Sequence, residues 1–412
     1  MDPGSAGWIK HLTQGPLDWG YLLRLAQHHG MMPLLYWHLS TLCPESVPRH
    51  ALQALQDHFH INSRRNLLLL AELLEILRFF ANNGIPAIPY KGPILAAYIY
   101  GNVSLRQFCD LDILVPKSQA LKARDLLILR GYRPSIQLNL WQQAAFLDSR
   151  CEFCQAQADT NITVEVHWEI APRYMVLPID LQNLWRHLRP ISFSAMTVLG
   201  FRPEDLLPIL CLHGTIHRWE RLEWICGISE LVRRHPKIDW KGVLERAEIL
   251  GGRRMLLLGL FLASDLLGSE LPGEILNRID ADLVIKSLAT KVRSQLFDPP
   301  DNRPDVFAMS FFHLSAKERL RDKIRYIFRL TTTPHAADWA LLDLPEFLYF
   351  LYYLIRPIRL VVRYGAFLVA GLFTNIRRRD LARQGRNQDI RDTGTRRHGD
   401  AASMSTLELV KH

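Results

Sequence analysis

The stretch IPYKGPILAAYIYGNVSLRQFCDLDILVP, Ile88 to Pro116, decides how the rest of the chain is read. Its second half, FCDLDILV (residues 108–115), has the two-residue alternation of a strand. Asp110, Asp112 and Leu114 fall on one face, and Leu111, Ile113 and Val115 on the other. Acids are poor strand formers, so a pair of them on one side of an apolar run needs a reason. Upstream, the short apolar IPAIPY (85–90) reads as a strand whose prolines suit an edge. Lys91-Gly92-Pro93 then opens a helix, with the proline in its first turn. A glycine and a lysine at a helix N-terminus form a natural phosphate cradle. Arg106, just before the acidic strand, is a second candidate phosphate contact.

Further on, RCEFCQAQ (150–157) and ITVEVHW (162–168), joined by Asp159-Thr160-Asn161, read as a hairpin. The second strand repeats the design. Thr163, Glu165 and His167 share one face, and Ile162, Val164, Val166 and Trp168 the other. If the two acidic strands are neighbours, three carboxylates converge on the exposed side of a sheet. Such a cluster repels itself and is tolerable when a cation sits within it. Carboxylate oxygens suit Mg²⁺ or Mn²⁺. Two ions about 3.5–4 Å apart serve in-line displacement at phosphorus, one activating the attacking oxygen and the other neutralising the leaving group. A solvated acidic face is the plain alternative, and a D-x-D pair alone does not exclude it.

Taken together, PYKGPILAAYIYG, LRQFCDLDILV, RGYR, VEVHWEI and CLHGTIHRWERLEWI resemble the nucleotidyltransferase superfamily that includes DNA polymerase beta and the aminoglycoside nucleotidyltransferases. More narrowly they resemble the bacterial uncharacterised nucleotidyltransferase family, over roughly residues 20 to 330. The resemblance implies that Asp110 and Asp112 are the paired metal-binding aspartates. It implies that Glu165 is the third carboxylate, which helps activate the acceptor hydroxyl. Gly92 matches the glycine of the superfamily's Gly-Ser turn. Pro93 stands where the serine would be, and Lys91 takes over its phosphate contact. The expected donor is an NTP with two Mg²⁺ (or Mn²⁺) ions, and the acceptor a hydroxyl on a small molecule, glycan or protein. Asp112→Asn is expected to abolish transfer and leave the fold intact. His167 and His213 are candidate substrate contacts. His213 and His217 lie four apart on one helix face, and Trp219 and Trp224 read as core. Two alternatives stay open: a partner module that binds nucleotide or protein without turnover, and a transferase of the terminal phosphate.

The expected fold is α+β: a small mixed sheet (84–170), N-terminal helices before it (1–83) and a helical domain after it (171–330). An apolar, aromatic helical segment (331–376) and a basic disordered tail (377–412) complete the chain. Hydrophobic residues make up 48% of the 412 and charged ones 22%, so most of the chain can bury a core. The net charge of +9 points to anionic partners. Part of that excess sits in the arginine-rich tail, where it predicts no specific nucleic-acid contact. The N-terminus lacks the basic and apolar regions of a signal peptide, and no apolar run reaches a membrane span, so a cytoplasmic location is expected. Residues 341–376, with Arg356, Arg359 and Arg363 a helical turn apart, fit either a helix docked on the protein or one lying on an anionic membrane. The six cysteines do not form a disulfide framework, and the CEFC pair at 151–154 reads as reduced thiols.

Overall fold

The computed structural model describes residues 3–175, 180–193, 196–297, 306–342 and 344–363. It divides into two compact units, Met1–Leu330 and Thr331–His412. The tail expected at 377–412 lies outside the described residues.

The first unit begins with α1 (Pro3–Gln14), α2 (Trp19–His28), α3 (Met32–Leu42) and the long α4 (Arg49–Asn82). α4 has 34 residues, roughly 50 Å at 1.5 Å per residue. It ends as its sequence requires. Gly84 takes φ +70°, which costs glycine nothing, and the Ile85 amide turns back to the Phe80 carbonyl at 2.9 Å. Two asparagines on its buried face do a second job. Asn66 Nδ2 donates to the carbonyls of Val103 (2.7 Å) and Arg106 (2.8 Å), and Asn62 Nδ2 donates to those of Ser104 (3.1 Å) and Arg106 (3.2 Å). The loop leading to the acidic strand is thereby tied to α4.

The sheet contains β1 (Ile88–Pro89), β2 (Asp110–Leu114), β3 (Tyr132–Pro134), β4 (Glu152–Gln157) and β5 (Thr163–His167), in the order β1-β2-β5-β4-β3. β2 and β5 are parallel and every other pair is antiparallel, so the sheet is mixed, as expected. β1 with its proline is an edge strand. α5 (Gly92–Tyr100), α6 (Ala120–Leu129) and α7 (Leu140–Ser149) connect the strands. β3 and α7 have no counterpart in the sequence reading. β3 is three residues ending in a proline, too short to show alternation. α7 leaves Leu140 and Trp141 exposed, which blurs its apolar stripe.

After the sheet come α8 (Leu181–Arg186) and a hairpin of β6 (Arg189–Phe193) and β7 (Met196–Gly200). The hairpin lies in a stretch expected to be helical. α9 (Pro203–Ile216), α10 (Leu222–Arg234), α11 (Trp240–Leu250), α12 (Arg253–Leu267), α13 (Gly273–Asp280), α14 (Leu283–Phe297), α15 (Val306–Ala316) and α16 (Leu320–Thr332) follow. One apolar core joins the two parts. Ile88, Tyr90, Leu95, Ile99 and Leu114 of the sheet region pack in the same cluster as Leu207, Trp219, Leu258 and Val292. The helical wall is therefore fixed against the sheet by burial of apolar surface, the dominant favourable term in folding.

In the second unit, α17 (Ala336–Trp339) and the helix 352–363 are linked by an ionic cluster. Asp338 is fully buried and accepts from Arg356 Nη1 at 3.0 Å and Arg359 Nε at 2.5 Å. Two of the arginines that the sequence offered to a membrane are thus engaged inside this unit. Among the described residues, no helix is long and apolar enough to cross a membrane.

Candidate active site

The parallel pairing of β2 with β5 sets the site. Asp112 lies directly opposite Glu165, and Asp110 opposite Thr163. β4 adds to the same face, because Glu152 is paired with His167 and Cys154 with Glu165. Glu152 is a fourth carboxylate that the sequence reading missed. The alternation of CEFCQ was visible, but the register of β4 on β5 was not.

The acidic face does not look out on open solvent, as the sequence suggested. Asp112 is 4% exposed and His167 2%. The face is the floor of a cavity of about 770 Å³. His58, Asn62 and Arg65 of α4 form one wall, and His213, His217, Arg221, Glu223 and Trp224 another. Lys91, Gly92 and Arg106 also line it, so every sequence-predicted site residue reaches the same space.

On the floor, Lys91 Nζ donates to Asp112 Oδ1 at 2.8 Å. His167 Nε2 lies 3.1 Å from the same oxygen and 3.4 Å from Glu165 Oε2, and its Nδ1 is 3.2 Å from Glu152 Oε2. Burial pushes the Asp112 carboxyl up, but Lys91 and His167 outweigh it and hold the group well below the carboxylate range. Burial pulls the His167 imidazole down, and its hydrogen bond with Asp112, together with the adjoining Cys151 and acidic groups, more than reverses this. Burial likewise works against the Lys91 ammonium, and Asp112 overcomes it. Asp110 differs. Burial and the charges of Asp112 and Glu165 push its carboxyl up to about 6. Lys91 and Arg106 oppose that shift without cancelling it.

The donor set fits a hard divalent ion. The carboxylates of Asp112 and Glu165 meet on the floor, where their oxygens and a His167 ring nitrogen lie within 4.8 Å of one another. Asp110 stands two residues up the strand on the same face, outside that group. Gly92 opens α5 at φ +53°, and a Cβ there would sit 3.1 Å from the Asp110 carbonyl. Both the backbone angle and the close approach require glycine. No side chain caps this helix N-terminus. The carbonyl of Arg106 is held by Asn62 and Asn66, and the residue lines the cavity.

The helical wall carries an aromatic group. The rings of His213 and His217 are 4.6 Å apart, and each is 5.3 Å from Trp224. Burial, then the charge of Lys91, keeps both imidazoles neutral, with His217 lowered to about 4. Neither belongs to a three-donor metal group among the described residues. Trp219 is wholly buried, as the sequence suggested. Trp224 is half-buried: it packs against the edge of the core and also lines the cavity.

Residues 15–268 match the family described as "Uncharacterised nucleotidyltransferase". Among solved structures, the chain is similar to the antibiotic-resistance factor ANT(2'')-Ia, at 12% identity over 57% of this chain and 94% of that one, with a TM-score of 0.26. It is also similar to an antigenic nucleotidyltransferase-like protein from Paracoccidioides brasiliensis, at 13% identity over 50% of this chain and 88% of that one, with a TM-score of 0.31. No curated protein matches it. The family match takes in the whole sheet and every named wall of the cavity, and the chain therefore belongs to the uncharacterised nucleotidyltransferase family and is a nucleotidyltransferase.

Proposed function

We propose that the enzyme moves a nucleoside monophosphate from an NTP to a hydroxyl on a small molecule, glycan or protein. The observation that carries this reading is the register of β2 on β5, which sets Asp112 beside Glu165 under a cavity of substrate size. Asp110, Asp112 and Glu165 would hold two Mg²⁺ ions, which supply charge neutralisation at the α-phosphate and a more acidic attacking hydroxyl. Glu165, whose side chain is more exposed than that of Asp112, accepts a hydrogen bond from the acceptor hydroxyl and aims its oxygen at phosphorus. Lys91, Arg106 and the uncapped start of α5 at Gly92 bind the triphosphate. Lys91 must leave Asp112 to do so, and its ammonium then follows the negative charge from carboxylate to phosphate. His213, His217 and Trp224 offer neutral ring surface to the base or the acceptor.

Thermal melting with each NTP, with and without Mg²⁺, tests the donor assignment. At about 100 times Kd the ligand adds roughly 2.7 kcal/mol, a shift of a few degrees. A shift that needs Mg²⁺ and disappears in Glu165→Gln is expected. No shift with any nucleotide would overturn the reading. Products from α- and γ-labelled ATP then separate nucleotidyl from phosphoryl transfer.

A peripheral membrane contact is a separate reading of residues 341–376. Phe347, Phe350, Leu354, Ile358 and Val362 are each more than half exposed in the second unit. Leu354, Ile358 and Val362 recur every four residues on one helix face. Vesicles of anionic lipid should sediment the full chain in a salt-sensitive way. Leu354→Glu/Ile358→Glu should lose this; equal sedimentation of variant and wild type refutes the contact.

A further inference from the structure

The floor of the cavity carries two donor sets that differ in chemistry. The carboxylate set suits hard ions. The other consists of Cys151, Glu152 and His167, a thiol, a carboxylate and an imidazole whose ligand atoms all lie within 4.8 Å of one another. Cys151 immediately precedes β4, is 4% exposed, and its thiol donates to Glu152 Oε2 at 3.2 Å. The β4–β5 register brings Glu152 against His167.

His167 supplies the second, independent observation. Its Nδ1 is buried and has no partner of hydrogen-bond geometry, although it lies 3.2 Å from Glu152 Oε2. Its other nitrogen is already engaged, 3.1 Å from Asp112 Oδ1. An imidazole that donates through one nitrogen to a carboxylate and turns the other toward a thiol and an acid has the orientation of a metal-bound histidine. Thiolate and imidazole favour Zn²⁺ and its neighbours over Mg²⁺, which takes oxygen donors.

We propose that Cys151 Sγ, Glu152 Oε2 and His167 Nδ1 bind one ion of the Zn²⁺ class, next to the carboxylate site and distinct from it. The fourth tetrahedral position is open to water or to a substrate atom. On binding, the Cys151 thiol loses its proton and the ion takes the place of a proton on Nδ1. His167 then stands between the two sites as their shared wall, its Nε2–H directed at Asp112. Occupancy of one site thereby acts on the other through a single ring. The proposal does not depend on nucleotidyl transfer.

Co²⁺ added to the metal-free full-length protein provides the test, because a thiolate ligand gives a near-ultraviolet charge-transfer band. The background is Cys109→Ser/Cys154→Ser, which removes the exposed thiol and the half-buried one on the sheet face. A stoichiometric band is expected there. It should be lost on adding Cys151→Ser, weakened at least tenfold in affinity by Glu152→Gln, discharged by Zn²⁺ and not discharged by millimolar Mg²⁺. Glu152→Gln also guards against a Cys151→Ser variant that fails to fold, since Glu152 is only partly buried. No band, a band that survives in folded Cys151→Ser, or a band removed by Mg²⁺ overturns the proposal.

Discussion

Glu165→Gln is expected to lower nucleotidyl transfer by about 10³-fold or more, some 4 kcal/mol of transition-state stabilisation, with the melting temperature little changed. Asp112→Asn should remove as much activity and destabilise the protein as well. The contrast follows from burial. The Glu165 side chain is 25% exposed, whereas that of Asp112 is 3% exposed and accepts two cations. Removing its charge leaves the Lys91 ammonium and the His167 imidazolium in a buried place without their common partner. Breaking a buried ion pair from one side costs about 3–5 kcal/mol, and the amide oxygen of asparagine recovers only part of that. The structure thus revises the expectation that Asp112→Asn spares the fold. A double variant, Asp112→Asn/Lys91→Met, removes one stranded cation and should regain part of the lost stability while remaining inactive. Urea midpoints and single-turnover rates measured on the same preparations check both halves. Wild-type transfer in Glu165→Gln would remove the carboxylate from the mechanism.

Much of this site was legible in the sequence because strand alternation is a rule of the backbone. Once FCDLDILV and ITVEVHW are strands, the faces of Asp110, Asp112, Glu165 and His167 follow from counting by two. Gly92 was legible because a lysine and a glycine before a helix-opening proline mark a phosphate cradle, whereas its left-handed angle came only with the structure. What alternation does not carry is register and depth. Glu152 joins the site through its pairing with His167, and nothing in RCEFCQAQ states that offset. The burial of Asp112 depends on a helical wall from residues 203–234, more than ninety positions along the chain. Trp219 and Trp224 show the same limit at close range. Trp219 has the charged neighbours Arg218 and Glu220 yet is sealed in the core, whereas Trp224, next to Ile225, lines the cavity. The hairpin β6–β7 escaped notice because it is short, carries Pro190 and is bordered by helices.

Trp219 is where that distal wall is set, and substitutions there should have the largest effect on stability. α9 ends at Ile216 with His217 as its cap, and the chain then passes through two consecutive left-handed residues, Arg218 at φ +55° and Trp219 at φ +57°. Neither is glycine, and each costs roughly 1–2 kcal/mol in that region. The amide of Trp219 returns to the Gly214 carbonyl at 2.7 Å, and the indole is buried against the helix it has just left. Gly214 makes this possible: a Cβ there would meet three ring carbons of Trp219 at 2.5–2.6 Å. Burial of the ring thus offsets the backbone strain at the end of the helix whose His213 and cap residue His217 line the cavity. Trp219→Ala is expected to cost about 3–5 kcal/mol, and Gly214→Ala about 1–3 kcal/mol by overpacking. In the double variant the obstacle is gone. Alanine should then stabilise α9 by up to about 1 kcal/mol through helix propensity, so Gly214→Ala changes sign. Urea unfolding of the four proteins measures that coupling, and additive costs would mean that the ring and the glycine are not complementary.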